Sequence, residues 1–208
     1  MRFVPAIAWL KNLHHNQIRD RMVNVMRLAG LMVLLAVSSA HAGGWNTYTD
    51  PAGRWSIQYP DGWRVDTSHS YTALGPGKEI RGVAFVVPDS FTKGTNLGDD
   101  SYLAVETLPS AEDCTASAFL DDAIDPPHAR AGSNGITWSV QDGSDAGAGN
   151  IYEETAWAAT GSKPCIALRA FAHSANIGNF DPGTVKEFDR RAFNGILDRM
   201  RASFRLLH

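Results

Sequence analysis

Alternating apolar and polar positions recur along the chain after residue 42 and predict a series of short β-strands. Residues 55–59 place Trp, Ile and Tyr at every second position, which is typical of a strand with one buried face. Residues 45–49 are a second strand candidate, and the apolar run 82–87 predicts a buried strand. Turn-forming residues at 50–53 and 60–62 separate the first of these segments.

Two later segments, 101–108 and 165–171, alternate so that their two faces differ in character. Large aliphatic residues occupy one predicted face of each strand. The opposite faces carry Tyr102, Ala104 and Glu106 in the first strand, and Ala167, Arg169 and Phe171 in the second.

Residues 136–141 and 151–160 are two more strand candidates, joined by the small and polar residues 142–150. This arrangement predicts a hairpin with a long connecting loop.

Two segments carry helix signals. Ser110 is followed three residues later by Asp113, and Thr184 by Glu187, which is the spacing of an N-terminal capping box. The second box precedes a stripe of apolar residues at every fourth position, which predicts a long amphipathic helix. The stripe consists of Phe188, Ala192, Ile196, Met200 and Phe204.

Six or seven strands, mostly in hairpins, together with two main helices predict an α+β fold in which helices cover an antiparallel sheet. Residues 43–208 contain no internal repeat, low-complexity tract or linker. We therefore expect them to form a single domain.

The first 42 residues have the features of a leader. Leu28–Val37 is an apolar run preceded by Arg27, and Ala40-His41-Ala42 has the small-x-small form that signal peptidase requires. These features predict a secretory signal peptide cleaved after Ala42, and a periplasmic or secreted mature protein. The apolar run is shorter than the about 20 residues of a membrane-spanning helix, so an uncleaved anchor is the weaker alternative.

The stretch 1–21 is polar, basic and long for the start of a signal peptide. Met22 and Met26 are therefore alternative translation starts.

Charge narrows the range of partners. The leader holds five of the 19 basic residues and one of the 22 acidic residues, so the remainder has a net charge of −7. This charge argues against nucleic acid and anionic lipid as partners. After cleavage we expect no stable membrane span.

Cys114 and Cys165 are the only cysteines of the chain. Two cysteines are too few for a zinc ribbon or a four-cysteine iron–sulfur site, and they do not have C-x-x-C spacing. In an exported protein, an isolated pair predicts one structural disulfide.

Common catalytic signatures such as G-x-S-x-G, H-E-x-x-H and the P-loop are absent. His69, His128 and His173 are too far apart in sequence to bind a metal as a local pair. An enzyme would require them to meet acids in a cleft of the fold. We predict no enzymatic activity and no catalytic, cofactor-binding or metal-binding residue.

Two acidic clusters are candidates for acid–base or metal chemistry: Asp99-Asp100, and Asp121-Asp122 plus Asp125. The first lies in a predicted polar loop and the second near the end of a predicted helix, which favours solvated surface positions instead.

The hairpin loop partly matches a calcium-binding loop. Asp142, Ser144, Gly147 and Glu153 fall at positions 1, 3, 6 and 12 of an EF-hand pattern, but Ala146 at position 5 has no side-chain oxygen. The flanking segments are strands rather than helices, so we expect an ordinary loop and keep calcium binding as an alternative.

An aromatic cluster near the start of the mature chain consists of Trp45, Trp55, Tyr59 and Trp63. We expect these rings to lie in the core, because large aromatic residues dominate the interiors of small domains. A surface for stacking sugars is the alternative.

Residues 48–63 run Tyr-Thr-Asp-Pro-Ala-Gly-Arg-Trp-Ser-Ile-Gln-Tyr-Pro-Asp-Gly-Trp. They resemble the opening of the PsbP/Mog1-like α/β/α sandwich proteins, with a D-x-x-G turn, an aromatic strand and Y-P-x-G-W. Residues 196–206 are loosely similar to the end of that family. The resemblance implies one PsbP/Mog1-like domain over residues 43–208, and a role in binding or assembly support.

The sequence therefore predicts a non-catalytic exported domain without a cofactor. We expect it to bind an unknown protein or envelope component through the sheet face or rim away from the C-terminal helix. The alternatives are an inhibitor of a cell-envelope hydrolase such as lysozyme, acting through complementary charge, or a calcium- or glycan-binding module.

Overall fold

The computed structural model describes residues 43–120, 123 and 125–207. The predicted signal peptide, its cleavage site at Ala42 and the Asp121-Asp122 pair lie outside these residues. Gly43–His208 forms one compact unit. In this described part, no helix is both long and apolar enough to cross a membrane.

Most of the described chain is β-structure. The strands are β1 (Trp45–Thr49), β2 (Trp55–Pro60), β3 (Arg64–Asp66), β4 (Ser70–Tyr71), β5 (Ile80–Val86), β6 (Tyr102–Leu108), β7 (His128–Ala131), β8 (Thr137–Gly147), β9 (Asn150–Ala159), β10 (Cys165–Ala175) and β11 (Arg205–Leu206). The helices are α1 (Asp89–Thr92) and α2 (Arg190–Ser203), with 3-10 turns at Ala116–Ala118, Ser133–Gly135 and Ile177–Asn179.

The strands form two antiparallel sheets. The large sheet has eight strands in the order β3-β5-β6-β10-β9-β8-β7, with β4 also paired to β5. The small sheet has the order β1-β2-β11. Strands β5 and β6, β8 and β9, and β9 and β10 are neighbours in both sequence and space, whereas β6 and β10 pair over a long sequence separation.

The predicted α+β class, with six to seven strands and two main helices, is wrong. Among the described residues the structure has eleven strands in two sheets. Of the two α-helices that these residues form, only α2 is longer than four residues. Four strands are additional to those predicted: β3, β4 and β11 have two or three residues, and the edge strand β7 has four. Such strands are too short to show a period-two pattern, so their pairing depends on tertiary contacts.

The helix predicted from Ser110 is also absent. Residues 110–120, here called the covering segment, contain only the 3-10 turn at Ala116–Ala118. Cys114, Ala116, Phe119 and Leu120 are buried. Although the last three have helical spacing, Cys114 does not lie on the same helix face as them. The segment instead lies over the large sheet, where the Ala116 backbone N–H donates to Ser139 Oγ at 3.0 Å.

The predicted C-terminal helix exists but begins later. Asp189 is its N-cap and accepts a hydrogen bond from the Ala192 N–H, while Thr184 lies in a preceding turn. The buried face consists of Phe193, Leu197 and Met200. These positions follow the i, i+4, i+7 pattern of an α-helix rather than the strict four-residue stripe.

The main core lies between α2, the small sheet and one face of the large sheet. Leu103 and Val105 of β6 and Leu168 of β10 contribute to it. Trp55 and Trp63 are 2% and 5% exposed. The expected core role of these two rings is therefore confirmed.

The predicted hairpin is confirmed, but its long loop is not. Strands β8 and β9 continue to a two-residue turn of Ala148 and Gly149, whose φ angles of 51° and 84° are typical of a type I′ turn. Asp142 lies within β8, where it accepts a hydrogen bond from Thr155 Oγ1 at 2.6 Å. Small polar side chains at the exposed end of a strand do not interrupt backbone pairing, which is why composition suggested a loop.

Cys114 and Cys165 form the predicted disulfide, with their Cα atoms 5.1 Å apart. The bond attaches the covering segment to the first residue of β10. It therefore holds this segment against the large sheet on the side away from α2.

Candidate functional site

The face of the large sheet opposite α2, here called the distal face, combines small residues with a few charged and aromatic ones. Ala104 and Ala156 lie directly across from Arg169 on the two neighbouring strands. Because alanine side chains are short, they leave space above the sheet in which the long Arg169 and Glu106 side chains fit. The predicted division of β6 and β10 into two different faces is confirmed.

Arg169 and Glu106 form a completely buried ion pair. Arg169 Nε donates to Glu106 Oε1 at 2.9 Å, and Nη2 donates to Oε2 at 3.0 Å. Both side chains are 0% exposed. This two-point geometry is the strongest that arginine forms with a carboxylate.

Glu154 extends the pair into a buried ion cluster of Glu106, Arg169 and Glu154. Arg169 Nη1 donates to Glu154 Oε2, and the Tyr71 hydroxyl donates to Glu154 Oε1 at 3.2 Å. The Arg169 guanidinium also lies 3.3 Å from the centre of the Tyr71 ring. Glu154 is 14% exposed, so of the three charged groups it is the one that reaches solvent.

The covering segment completes the surroundings of Arg169. Phe119 is fully buried, and its carbonyl oxygen accepts a hydrogen bond from Arg169 Nη2. Since Cys114 is disulfide-bonded to Cys165, the position of this carbonyl depends on the covalent link.

Beside the ion cluster, five rings form a continuous aromatic row, with four of them on β6, β10 and β9 and His69 in the segment before β4. The centre of Tyr102 is 5.0 Å from that of Phe171, which is 6.2 Å from Tyr152. His69 contacts Tyr102 at 4.9 Å, and His173 stacks on Tyr152 at 4.6 Å. Alternating positions on adjacent strands put the four strand residues on one surface.

The two histidines at the ends of the aromatic row, His69 and His173, each form a hydrogen bond with a carboxylate. His69 Nε2 lies 3.0 Å from Glu106 Oε1. His173 Nδ1 lies 2.8 Å from Asp100 Oδ1, and its Nε2 lies 3.0 Å from Asn150 Oδ1. Each histidine is therefore fixed in orientation by hydrogen bonds.

Four rings of the aromatic row line an open cleft together with Glu154, and the cavity volume is about 550 Å³. These rings belong to His69, Tyr102, Phe171 and Tyr152. This volume lies within the usual range of small-molecule sites. Besides the rings, the cleft is lined by the carboxylates of Asp100, Asp145 and Glu154 and by Leu120 of the covering segment. Gly143 lies directly opposite Glu154 on β8 and, having no side chain, leaves the carboxylate accessible from that side.

Burial and neighbouring charges shift the pKa values of Glu154, Tyr102 and Arg169. Burial raises the pKa of Glu154 above the usual range, and the interactions with Arg169 and Tyr71 offset this only in part. Burial likewise raises the pKa of Tyr102, with the charge of Glu106 adding to the effect. For Arg169, burial alone would lower the pKa, but the charge and hydrogen bonds of Glu106 outweigh it, so the guanidinium stays charged.

The structure brings together only some of the residues singled out in the sequence. His69 and Asp100 line the cleft, and His173 ends the aromatic row. His128 lies in the exposed edge strand β7. Among the described residues, no group of three or more His, Cys, Asp or Glu side chains is arranged to hold a metal ion.

The ion cluster was missed in the sequence, although one signal for it was present. Glu106, Glu154 and Arg169 are charged residues inside otherwise apolar strands. A charged residue in a central strand is either exposed or paired. Which acid meets which base depends on the β6–β10–β9 register, and that register is set by the tertiary fold.

Comparisons with known proteins do not assign a family. No family model matches the chain, and no curated protein matches it. Among solved structures, a 1.50 Å crystal structure of a protein from Bacteroides thetaiotaomicron VPI-5482 is similar, with 14% identity and a TM-score of 0.41. The match covers 78% of this chain and 48% of that chain, so this chain spans about half the length of that protein. None of these comparisons tests the PsbP/Mog1 resemblance of residues 48–63, which stays a prediction.

Proposed function

We propose that this protein is an exported, non-catalytic binding domain that holds a small molecule in the cleft of the distal face. The observation that carries the proposal is the half-buried aromatic row beside the buried ion cluster. A cleft with aromatic walls and a few fixed polar groups is the usual form of a small-molecule site.

The energetics of the ion cluster support this proposal. Removing charged groups from water costs free energy, and well-packed apolar residues of similar size often stabilise a fold as much as a buried ion pair does. Charges held beside an open cleft, with a perturbed pKa at the accessible one, are typical of functional sites. The cleft also lies on the sheet face that we expected, from the sequence, to make contacts.

Export is supported by the leader features of residues 1–42 and by the Cys114–Cys165 disulfide, since disulfides persist in oxidising compartments. Inhibition of a basic hydrolase such as lysozyme rests on the net charge of −7 together with the expected export and the disulfide. The calcium alternative loses its basis, because Asp142 lies in a paired strand.

One observation favours a second candidate function, an acid–base enzyme. His69 contacts Glu106, and His173 contacts Asp100, in or beside the cleft. Both ring nitrogens of His173 already have partners, which leaves this imidazole less suited to accept a proton from a substrate. Turnover of p-nitrophenyl acetate that is abolished by His69→Gln would favour the enzyme.

The binding proposal is tested by NMR of the protein expressed from its full sequence. Three soluble probes share a 4-hydroxyphenyl ring and differ in charge: tyramine, tyrosol and 3-(4-hydroxyphenyl)propionate. We expect at least one of them to shift the backbone amides of Tyr102, Tyr152 and Phe171 in a saturable way. If none of the three shifts these amides at millimolar concentration, the binding proposal is wrong.

A further inference from the structure

The charges at the cleft are unbalanced. Within the buried ion cluster, one guanidinium faces two carboxylates, since Arg169 binds Glu106 through two nitrogens and Glu154 through the third. Glu106 is 0% exposed, so the excess negative charge is presented to solvent at Glu154, which is 14% exposed.

The lining residues add to this negative charge. Asp145 and Asp100 are exposed carboxylates of the cleft, and none of the described lining residues is lysine or arginine. Asp145 lies opposite Tyr152 on the β8–β9 ladder, and Glu154 lies opposite Gly143. Asp145 and Glu154 are thus diagonal neighbours on one face, a separation of roughly 7–8 Å between backbones that an ammonium group can bridge.

The aromatic row provides the second half of a cation site. Tyr102, Tyr152 and Phe171 are half-buried and line the same cleft. Ring faces attract ammonium groups, and the attraction grows when the cation is shielded from water. A carboxylate ligand is disfavoured, because it would face the three acidic side chains of the lining as well as the ring electrons.

We propose that the ligand of this cleft is an organic ammonium ion with an aromatic or similarly flat apolar body. Its ammonium group lies between Glu154 and Asp145, beside the ring of Tyr152, which is opposite Asp145 on the β8–β9 ladder. Its body lies against Tyr102 and Phe171. This inference rests on the binding function proposed above and adds the class of ligand to it.

The test compares the binding constants of tyramine, tyrosol and 3-(4-hydroxyphenyl)propionate by calorimetry. These probes carry one positive charge, no charge and one negative charge on the same ring. We expect tyramine to bind about tenfold or more tightly than tyrosol, since hydrogen bonds to charged groups are the stronger class, and the propionate to bind most weakly.

Two single substitutions test which carboxylates cause the preference for tyramine. Glu154→Gln keeps the shape of the side chain and removes its charge, so we expect the preference for tyramine to shrink about tenfold. Asp145→Asn, at an exposed position, keeps the test open if Glu154→Gln folds poorly. Glu187→Gln is the matched control, because Glu187 is exposed and is not among the cleft residues, and it should bind like the wild type.

Each outcome decides one of the two proposals. Equal binding of the three probes, or a preference for tyrosol or the propionate, overturns the ammonium assignment and leaves the binding function standing. A tyramine preference that survives both Glu154→Gln and Asp145→Asn also overturns the assignment. Absence of binding by all three probes overturns the binding function itself.

Discussion

Arg169 and Glu106 form a two-point ion pair in which both side chains are completely buried. The pair connects the fold to the proposed site. It lies on the central strands of the large sheet, and through Glu154 it reaches the cleft.

Replacing Arg169 by methionine should strongly destabilise the protein, because Glu106 would keep a buried charge without its cation. Breaking a buried pair in this way costs about 3–5 kcal/mol. Urea unfolding followed by circular dichroism measures the change. The double variant Glu106→Gln with Arg169→Met is the control and should recover a large part of the loss. A single variant as stable as the wild type would show that the pair is not buried as described.

The disulfide should contribute substantially to stability, because it joins Cys114 and Cys165 across 51 positions. Chain-entropy arithmetic for a loop of this length gives about 4 kcal/mol. We expect the double variant Cys114→Ser with Cys165→Ser to lose stability on this order in urea unfolding. Reductant should lower the wild type to a similar value and leave the variant unchanged; a reductant effect on the variant would contradict this.

The ionised carboxylate of Asp50 should stabilise the turn at residues 50–53 between β1 and β2. Its carboxylate accepts hydrogen bonds from the Arg54 backbone N–H and from Arg54 Nε and Nη2, and the side-chain hydrogen bond from Arg54 lowers the pKa of Asp50. A lowered pKa means that the stabilisation is complete above the unfolded value of about 3.9 and is lost as pH falls through the folded value.

We therefore expect Asp50→Asn to reduce the unfolding free energy at pH 7 by about 1 kcal/mol, a modest value because Arg54 is partly exposed. The difference from the wild type should disappear at strongly acidic pH. A difference that stays constant from pH 7 to pH 2 would show that the charge of Asp50 is irrelevant.

Binding of tyramine should depend on pH through Glu154. Burial raises the pKa of this carboxyl above the usual range, and a bound cation favours the ionised form. Affinity should therefore increase as pH rises through the raised pKa, with release of a proton. Calorimetry in buffers of different ionisation enthalpy measures that proton.

Other titratable groups also face the bound ammonium or the ion cluster: His69, Tyr71, Asp100, Tyr102, Glu106, Asp145, Tyr152 and Arg169. Glu154→Gln isolates the contribution of Glu154 and should flatten the pH dependence. An unchanged pH profile in this variant would assign the effect to another of these groups.

The strands with clear alternation were predictable from sequence. In β6 and β10 the period-two pattern correctly placed Glu106 and Arg169 on the face opposite the aliphatic residues. The pairing between these side chains was not predictable, because it requires the register of two strands that are distant in sequence.

The covering segment shows the opposite case. Ser110 and Asp113 have capping-box spacing, yet the helical structure of residues 110–120 is limited to the 3-10 turn at Ala116–Ala118. The local helix signal loses to tertiary contacts, because the disulfide at Cys114 and the burial of Phe119 hold the segment against the sheet. When tertiary contacts prevent a helix that local residues favour, no pattern in the nearby sequence indicates it.

A crystal structure of the protein with tyramine tests the proposed site most directly. We expect the ammonium nitrogen within hydrogen-bond distance, about 3 Å, of a Glu154 carboxylate oxygen, and the ring of tyramine against Tyr102 or Phe171. Tyramine bound elsewhere, or bound in the cleft with its ammonium group turned away from both Glu154 and Asp145, would contradict the proposed site.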